Sequence, residues 1–470
     1  MCAISAVAAV MLPLVGPSLD FGQGAHVAGH ISDRSLTPLP VIQNAAGAWP
    51  LLLGYLAAFG CACAAYVAVL RAGALDARLI WGAFVLGCAA ALSIGFLPTS
   101  DPYAYALYAL EAGPLRLDPY VSQSLAGTTL PWAAQLLAIL PDPEAYVRHC
   151  NYGPVAAFAY GALALPLAHA PLVAYLYAER IFGALCVAAT GYLLARGAPA
   201  GEGTKRLAAY VLHPLVLTEF VAFAHGDALM LALLALAFAS WRRDAFATAA
   251  ACCVAATATR SVAVLALAAL LLAALRLRPA ALARALAGTL VAAVAIGGAS
   301  LALYGEISLG GPPAFNRFAA PLSFVVTVLA GAVPVAPLLV AQAACGGALA
   351  IAIVRGWWLR LDSSLAWLPF AALAGLPAVY PHYLGWVAGV AALRPGRRFE
   401  TVAAVATFVA PVWYVARMNL VAPPQPSPLA YGAALALCWG SVVVAATLSL
   451  RGRPGRASRA PAPAGAGPRA

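Results

Sequence analysis

The chain has 470 residues, of which 64% are apolar and only 9% are Asp, Glu, Lys or Arg. Soluble domains carry about 25% charged residues, so this composition excludes a soluble globular protein and, equally, a disordered chain. The net charge of +11 does not indicate nucleic-acid binding, because basic residues of membrane proteins collect in cytoplasmic loops. The composition instead predicts an all-α protein that crosses a bilayer many times and has membrane lipids as its surroundings.

Apolar stretches that suit membrane-spanning helices recur along the chain, since a span needs roughly 20 apolar residues and fewer when neighbouring helices bury it. We predict spans at 1–16, 48–70, 79–97, 171–195, 207–223, 228–240, 245–259, 261–275, 286–304, 335–354, 363–380, 384–393, 399–418 and 429–450. The apolar segments 152–170 and 321–331 disturb the alternation of charge, and we interpret them as re-entrant or interfacial helices. The prediction is one integral membrane domain over residues 1–450, a bundle of about 12–14 segments.

The basic residues divide the loops into two sides. Of the 27 Lys and Arg, 20 fall in alternate loops and in the tail from Arg451 onward, together with five acids. The rest of the chain holds seven basic and eleven acidic residues. This asymmetry predicts cytoplasmic termini and outward-facing loops at 17–47 and 98–151. The tail 451–470, rich in Pro, Gly, Ala and Arg, is predicted to be a disordered cytoplasmic segment.

The outer loop is densest in acidic and aromatic side chains between Pro98 and Tyr120. Asp101 follows directly after a predicted span, so it should lie at the outer mouth of that helix. Tyr103 and Tyr105 come next, and such rings either stack on sugars or anchor in the aromatic belt at the interface. Asp101 by itself is also compatible with a helix cap.

The same topology brings four more ionisable residues to this face, namely His225, Asp227, Arg260 and His382. Ionisable residues at the edge of a bilayer are functional candidates. A carboxylate can deprotonate a hydroxyl, and Arg and His can hold a phosphate. The combination favours a reaction on an anionic, lipid-linked donor. Because an unpaired guanidinium is costly at that depth, we expect a donor phosphate, rather than a carboxylate, as the partner of Arg260.

Several short motifs then occur in a fixed order. They are Ser100–Tyr105 (SDPYAY) followed by Gly113, Leu117–Tyr120 (LDPY), Tyr152–Pro154 (YGP), His213–Leu217 (HPLVL) and Ala224–Met230 (AHGDALM). In this order they resemble the bacterial α-(1→6)-mannopyranosyltransferases that use polyprenyl-phosphate mannose, over about residues 80–280. The chain departs from that pattern at Ser100, His213, Gly226 and Arg260, where the family has Arg, Asn, Asn and Lys.

The resemblance implies a fold of the GT-C type, with a long first catalytic loop and re-entrant helices. It also implies transfer of a hexose, mannose in the family, from a polyprenyl-phosphate donor to a glycan or glycolipid, at the outer face of the bacterial cytoplasmic membrane. Asp101 would be the general base, with Asp118 as second choice because its Asp-Pro-Tyr context is also typical of a turn. Donor phosphate would be bound by Arg260, His225 and His382, and sugar or acceptor by Tyr103, Tyr105, Tyr120, Tyr152 and Asp227.

Three alternatives stay open at this point. The same fold could use another lipid-linked sugar, the chain could be a transporter or flippase of such lipids, or it could be a purely structural membrane protein. A flippase should show polar residues at mid-membrane on several helices and internal repeats, whereas here the polar residues gather at the outer edge. No metal site is predicted, although Asp101 and Asp118 could chelate a divalent cation.

The predicted orientation can be tested by labelling single cysteines in an otherwise Cys-free chain. Gln123→Cys, in loop 98–151, should react with a membrane-impermeant maleimide added outside the cell. Glu202→Cys, in loop 196–206, should react only after the membrane is opened. Labelling of residue 123 from the cytoplasmic side alone would overturn the orientation and the outward-facing site together.

Overall fold

The computed structural model describes residues 48–72, 75–93, 101–121, 128–139, 150–310, 335–357, 368–369, 371–373, 375–376 and 381–393. All regular structure within these residues is helical. The predicted spans 1–16, 399–418 and 429–450, the segment 321–331, the loop 17–47 and the tail 451–470 lie outside them, as does most of 363–380.

Most of the described helices follow the predicted apolar stretches. The exceptions are Asp101–Ala112 and Pro131–Ile139, which lie in the predicted loop 98–151, and the predicted span 207–223, which is broken at His213. The described helices are α1 Ala48–Arg71, α2 Ala77–Ser93, α3 Asp101–Ala112, α4 Pro131–Ile139, α5 Pro154–Ala164, α6 Leu172–Arg196, α7 Gly203–Val211, α8 Asp227–Trp241, α9 Phe246–Thr257, α10 Val264–Leu277, α11 Pro279–Tyr304, α12 Val335–Trp357 and α13 Pro381–Leu393. A helix satisfies its own backbone hydrogen bonds, which is why apolar stretches in lipid adopt this conformation.

Two of the described helices, α6 and α11, are long and apolar enough to cross a membrane. A third crossing is formed if Pro214–Ala222 and α8, which meet at an angle of 119°, are counted as one broken span. Several other described helices are apolar but shorter, including α9 and α5. These residues therefore support an all-helical membrane protein.

The described part of the predicted loop 98–151 forms helices, which corrects the expectation of a loop. Asp101–Ala112 is a helix, and its residues from Pro102 to Glu111 are buried. Tyr103 is 0% and Tyr105 is 3% exposed, so the interpretation of these rings as an aromatic belt against lipid is wrong. With α4, α5 and the start of α6, α3 forms a separate apolar core.

The arginine-rich ends of α6 and α8 lie far from the start of α8. Arg242, just beyond the end of α8, donates a hydrogen bond to the carbonyl of Gly197 at the end of α6, so these two helices end side by side. Asp227 is the first of the 15 residues of α8. At the helical rise per residue, it lies about 22 Å from the end of α8 beside Arg242. The polar residues around Asp227 are therefore separated from the arginine-rich ends by most of a helix length.

Close packing of α6 against the segment before α8 determines where that segment lies. Leu217–Ala222 is a π-helical turn, and a Cβ atom on Gly183 of α6 would overlap the carbonyl oxygen of Phe220 in it. Glycine at residue 183 is therefore needed for the contact, because the obstructing atom belongs to the backbone and cannot rotate away.

We predict that Gly183→Ala destabilises the protein by about 1–3 kcal/mol, the usual cost of overpacking. Gly82→Ala is the matched control, since Gly82 lies in α2 with no atom within 4 Å of the position that a Cβ would occupy, and alanine is the better helix former by about 1 kcal/mol. Thermal unfolding in detergent, followed by tryptophan fluorescence, should show a lower midpoint for Gly183→Ala only. Equal midpoints for the two variants would contradict the packing argument.

Candidate functional site

The site is built around a break in the helical chain. The π-helical turn Leu217–Ala222 is followed by Ala224, whose backbone is left-handed (φ 53°), and α8 then begins at Asp227. Insertions of π type inside helices often occur at functional sites. The break brings Glu219, His225 and Asp227 close together, and all three are at most 1% exposed.

His225 lies between two carboxylates. Its Nδ1 atom is 3.4 Å from Oδ2 of Asp101 and 3.0 Å from the Tyr105 hydroxyl, and its Nε2 atom is 3.2 Å from Oε2 of Glu219. Asp101 and Tyr105 are four residues apart on α3, so they share one face of that helix and can reach the same imidazole. The Asp101 side chain is 36% exposed while that of His225 is 0% exposed, so Asp101 is the accessible end of this group.

Asp227 is held by donors from three parts of the chain. The Tyr152 hydroxyl donates to its Oδ2 atom at 3.2 Å, and the indole of Trp386 donates to Oδ1 at 2.9 Å. Nε of Arg260 is 3.5 Å from the same Oδ1. The expectation that Arg260 has no carboxylate partner is therefore wrong: a carboxylate with 0% exposure needs a cation nearby, and Arg260 provides it.

Arg260 has further contacts that hold its guanidinium in one orientation. It donates to the carbonyl of Asn151 at 3.0 Å and to the Tyr383 hydroxyl at 2.9 Å. Its Cζ atom is 4.3 Å from the centre of the Tyr152 ring, a cation–π distance. A guanidinium carries five N–H donors, so these contacts leave capacity for an anionic ligand.

His382 stacks on His225, with ring centroids 4.0 Å apart and planes inclined by 22°. Burial and the neighbouring charges of His225 and Arg260 lower the pKa of His382 well below its ordinary value, which favours a neutral ring. Burial alone would lower the pKa of His225 too, but its hydrogen bond to Glu219 and the charge of Asp101 raise it overall. The pair therefore favours one charged and one neutral imidazole.

The same residues form the candidate metal-binding group of the described chain. Ligand atoms of Asp101, His225 and His382 lie within 4.8 Å of one another. The two imidazole planes are nearly parallel, however, and a histidine binds a metal through a lone pair in its ring plane. Those lone pairs do not converge, so joint binding of one ion by both rings requires one ring to rotate.

Gly226, one of the departures from the family pattern, has a local explanation. A Cβ atom at residue 226 would overlap the Tyr160 hydroxyl, and it would also approach the Tyr152 ring at 2.9 Å. The glycine thus accommodates Tyr152 and Tyr160, which both pack against Tyr105, and an asparagine would need Tyr160 to move.

Seven of the ten residues predicted for the site come together here, namely Asp101, Tyr105, Tyr152, His225, Asp227, Arg260 and His382. Asp118 lies elsewhere, since its Oδ1 accepts a hydrogen bond from the Tyr120 backbone N–H at 2.9 Å, as expected of the turn interpretation. The Tyr120 ring packs against Tyr304 at 6.1 Å. Tyr103 is two residues from Tyr105 and therefore points to another face of α3.

Sequence reasoning missed the residues that hold the others in place, which are Glu219, Tyr383, Trp386 and the carbonyl of Asn151. A signal existed for Glu219, because an acid inside an apolar segment is a functional candidate by default. Nothing local distinguishes Trp386 from other tryptophans, because its role depends on a contact 159 residues away.

We predict that Arg260→Gln lowers stability by about 3 kcal/mol, since it leaves the buried carboxylate of Asp227 without its cation. The double variant Arg260→Gln/Asp227→Asn removes that charge as well and should recover at least half of the loss. Thermal unfolding of the four proteins of this double-mutant cycle measures the coupling. Additive effects of the two substitutions would show that the ion pair does not stabilise the fold.

A family model described as "Alpha-(1->6)-mannopyranosyltransferase, N-terminal domain" matches residues 6–276. Among curated proteins and among solved structures, none matches this chain. The matched region covers more than half of the chain and includes Asp101, His225, Asp227 and Arg260, whereas His382, Tyr383 and Trp386 lie beyond it. The chain belongs to the α-(1→6)-mannopyranosyltransferase family and is therefore a glycosyltransferase.

Proposed function

We propose that this enzyme transfers mannose from a polyprenyl-phosphate donor to a glycan or glycolipid acceptor, at the outer face of the bacterial cytoplasmic membrane, with Asp101 as general base. The acceptor hydroxyl gives its proton to the Asp101 carboxylate as its oxygen bonds to the anomeric carbon. The bond from that carbon to the phosphate oxygen breaks, and polyprenyl phosphate leaves with the electron pair.

The observation that carries the proposal is the accessible carboxylate at the edge of a buried polar group. The Asp101 side chain is 36% exposed, and the imidazole beside it is fully buried. A base for an acceptor hydroxyl has to be reached from outside and has to be held in one orientation. Asp118 is less suited to this role because its carboxylate accepts the hydrogen bond of a local turn.

The departing phosphate needs positive charge directed at it. Arg260 is oriented by Asn151 and Tyr383 and has further N–H groups for phosphate oxygens. His225 adds positive charge nearby, and His382 stacks on it. The Tyr105 and Tyr152 hydroxyls, 2.9 Å apart, lie beside His225 and Asp227 and would bind the sugar or the acceptor.

An apolar cleft beside the site suits the hydrocarbon part of such a donor. Its lining is mostly apolar and includes Trp386 and Val262, next to the Asp227–Arg260 pair. From there it follows α8 from Met230 to Trp241, a length of about 16 Å at the helical rise. A lipid with its phosphate at Arg260 would extend its chain along this cleft.

The charge distribution supports the proposed outward orientation of the site. The ends of α6 and α8 carry Arg196, Arg242 and Arg243, and basic loops mark the cytoplasmic side. Asp227 lies at the other end of α8. A reaction there uses a donor whose sugar faces away from the cytoplasm.

We predict that Asp101→Asn lowers mannosyl transfer at least about 100-fold, the usual contribution of a general base, because asparagine keeps the size but cannot accept the proton. Asp118→Asn is the matched control and should lower mannosyl transfer less than Asp101→Asn does. Transfer from radiolabelled polyprenyl-phosphate mannose is measured in membranes with equal amounts of protein, and the donor concentration for half-maximal rate should stay within about threefold. Near-native turnover of Asp101→Asn would show that another group is the base.

A further inference from the structure

Glu219 is the buried carboxylate of the site to which the proposed reaction gives no part. It lies in the π-helical turn Leu217–Ala222 and is 1% exposed. Its Oε2 atom is 3.2 Å from Nε2 of His225, on the side of the ring away from Asp101. Glu219, His225 and Asp101 thus form a continuous row in which the imidazole bridges two carboxylates.

The backbone fixes this row as firmly as the side chains do. The N–H of His225 donates to the carbonyl of Glu219 at 3.0 Å, so the two residues are held together by main chain as well as side chain. This bond spans the break after the π-helical turn, and the left-handed Ala224 lies within it. The geometry of the break therefore sets the position of the imidazole relative to Glu219.

We propose that Glu219 is a positioning residue of this enzyme, whose carboxylate pairs with Nε2 of His225 and so keeps Nδ1 of the same ring directed at the Tyr105 hydroxyl and at Asp101. The inference rests on the proposed role of Asp101 as base. A carboxylate bonded to one nitrogen of a histidine fixes the tautomer and the orientation of the ring, and thereby what the other nitrogen does. Asp101, being partly exposed, otherwise has several side-chain rotamers available to it.

The charge of Glu219 matters as well as its geometry. Among the described residues, the titratable groups that face His225 are Asp101 and Tyr105 from α3, Glu219 from the π-helical turn, Asp227 from α8 and His382 from α13. Tyr105 and His382 contribute no negative charge at neutral pH. Glu219 makes the closest carboxylate contact, and it compensates a positive His225 that would otherwise be costly to bury.

The test compares Glu219→Gln with the wild type by its pH–rate profile. Glutamine keeps the size and an oxygen acceptor but loses the charge, so the pKa of His225 falls. Because an imidazole is charged below its pKa, the charge is then lost at lower pH, and the alkaline limb of the profile should move down by about one pH unit. At neutral pH we expect kcat to fall at least about tenfold with the donor KM within about threefold.

A second readout does not depend on catalysis. Solid-state NMR of ¹⁵N-histidine-labelled protein in liposomes, with the His225 signals assigned by His225→Gln, reports the protonation and tautomer of that ring. In the wild type Nε2 should carry a proton throughout the titration, and in Glu219→Gln the charged form should disappear at a lower pH. An unchanged His225 titration in the variant would overturn the inference.

Glu111→Gln is the matched control. Glu111 is also fully buried, and burial together with Asp118 raises its pKa to about 9, so glutamine replaces a group that is already uncharged at neutral pH. It should leave both the rate profile and the His225 signals unchanged; a shift equal to that of Glu219→Gln would assign the effect to general packing. Absence of transfer in the wild type, with a shifted His225 titration in Glu219→Gln, would reject the proposed reaction and keep the positioning role.

Discussion

The pairing of buried charges is the constraint on which the rest of this structure depends. In a chain with 9% charged residues, an ionised group inside the bundle has no water to compensate it, so it must be neutralised by another part of the protein. Asp227 satisfies this requirement with Tyr152, Trp386 and Arg260, and His225 does so with Asp101 and Glu219. The polar site is consequently a closed set of partners with one accessible member, Asp101.

The same constraint explains why the backbone breaks where it does. Helices in an apolar environment are interrupted only where other groups satisfy the freed backbone atoms. Between the π-helical turn and α8 the N–H groups of Phe223 and His225 find the carbonyls of Thr218 and Glu219. The irregular turn therefore costs few hydrogen bonds, and it directs three ionisable side chains inward that a continuous helix would have distributed around its surface.

Much of this arrangement could be predicted from the sequence, for identifiable reasons. The apolar stretches predicted α6, α11 and their neighbours closely, because the length of an apolar run is a local property. The alternation of basic and acidic loops predicted one shared side of the membrane for Asp101, His225, Asp227, Arg260 and His382. This prediction needs only the order of the loops along the chain. The helix at 101–112 was not predicted. Had it been, helical spacing would have placed Tyr103 and Tyr105 on different faces of that helix. The partners of Asp227 and Arg260 required tertiary contacts that no local pattern contains.

The three side chains supplied by α13 have a consequence for how the enzyme is made. Trp386 bonds to Asp227 across 159 residues of chain, while Tyr383 and His382 complete the surroundings of Arg260 and His225. A ribosome that has inserted α8 into the membrane must synthesise all of the intervening helices before the Asp227 carboxylate receives its indole donor. During biogenesis, the family-matched half is therefore inserted before the site can assemble. A chain halted before α13 carries the acidic and basic side chains without the arrangement described here.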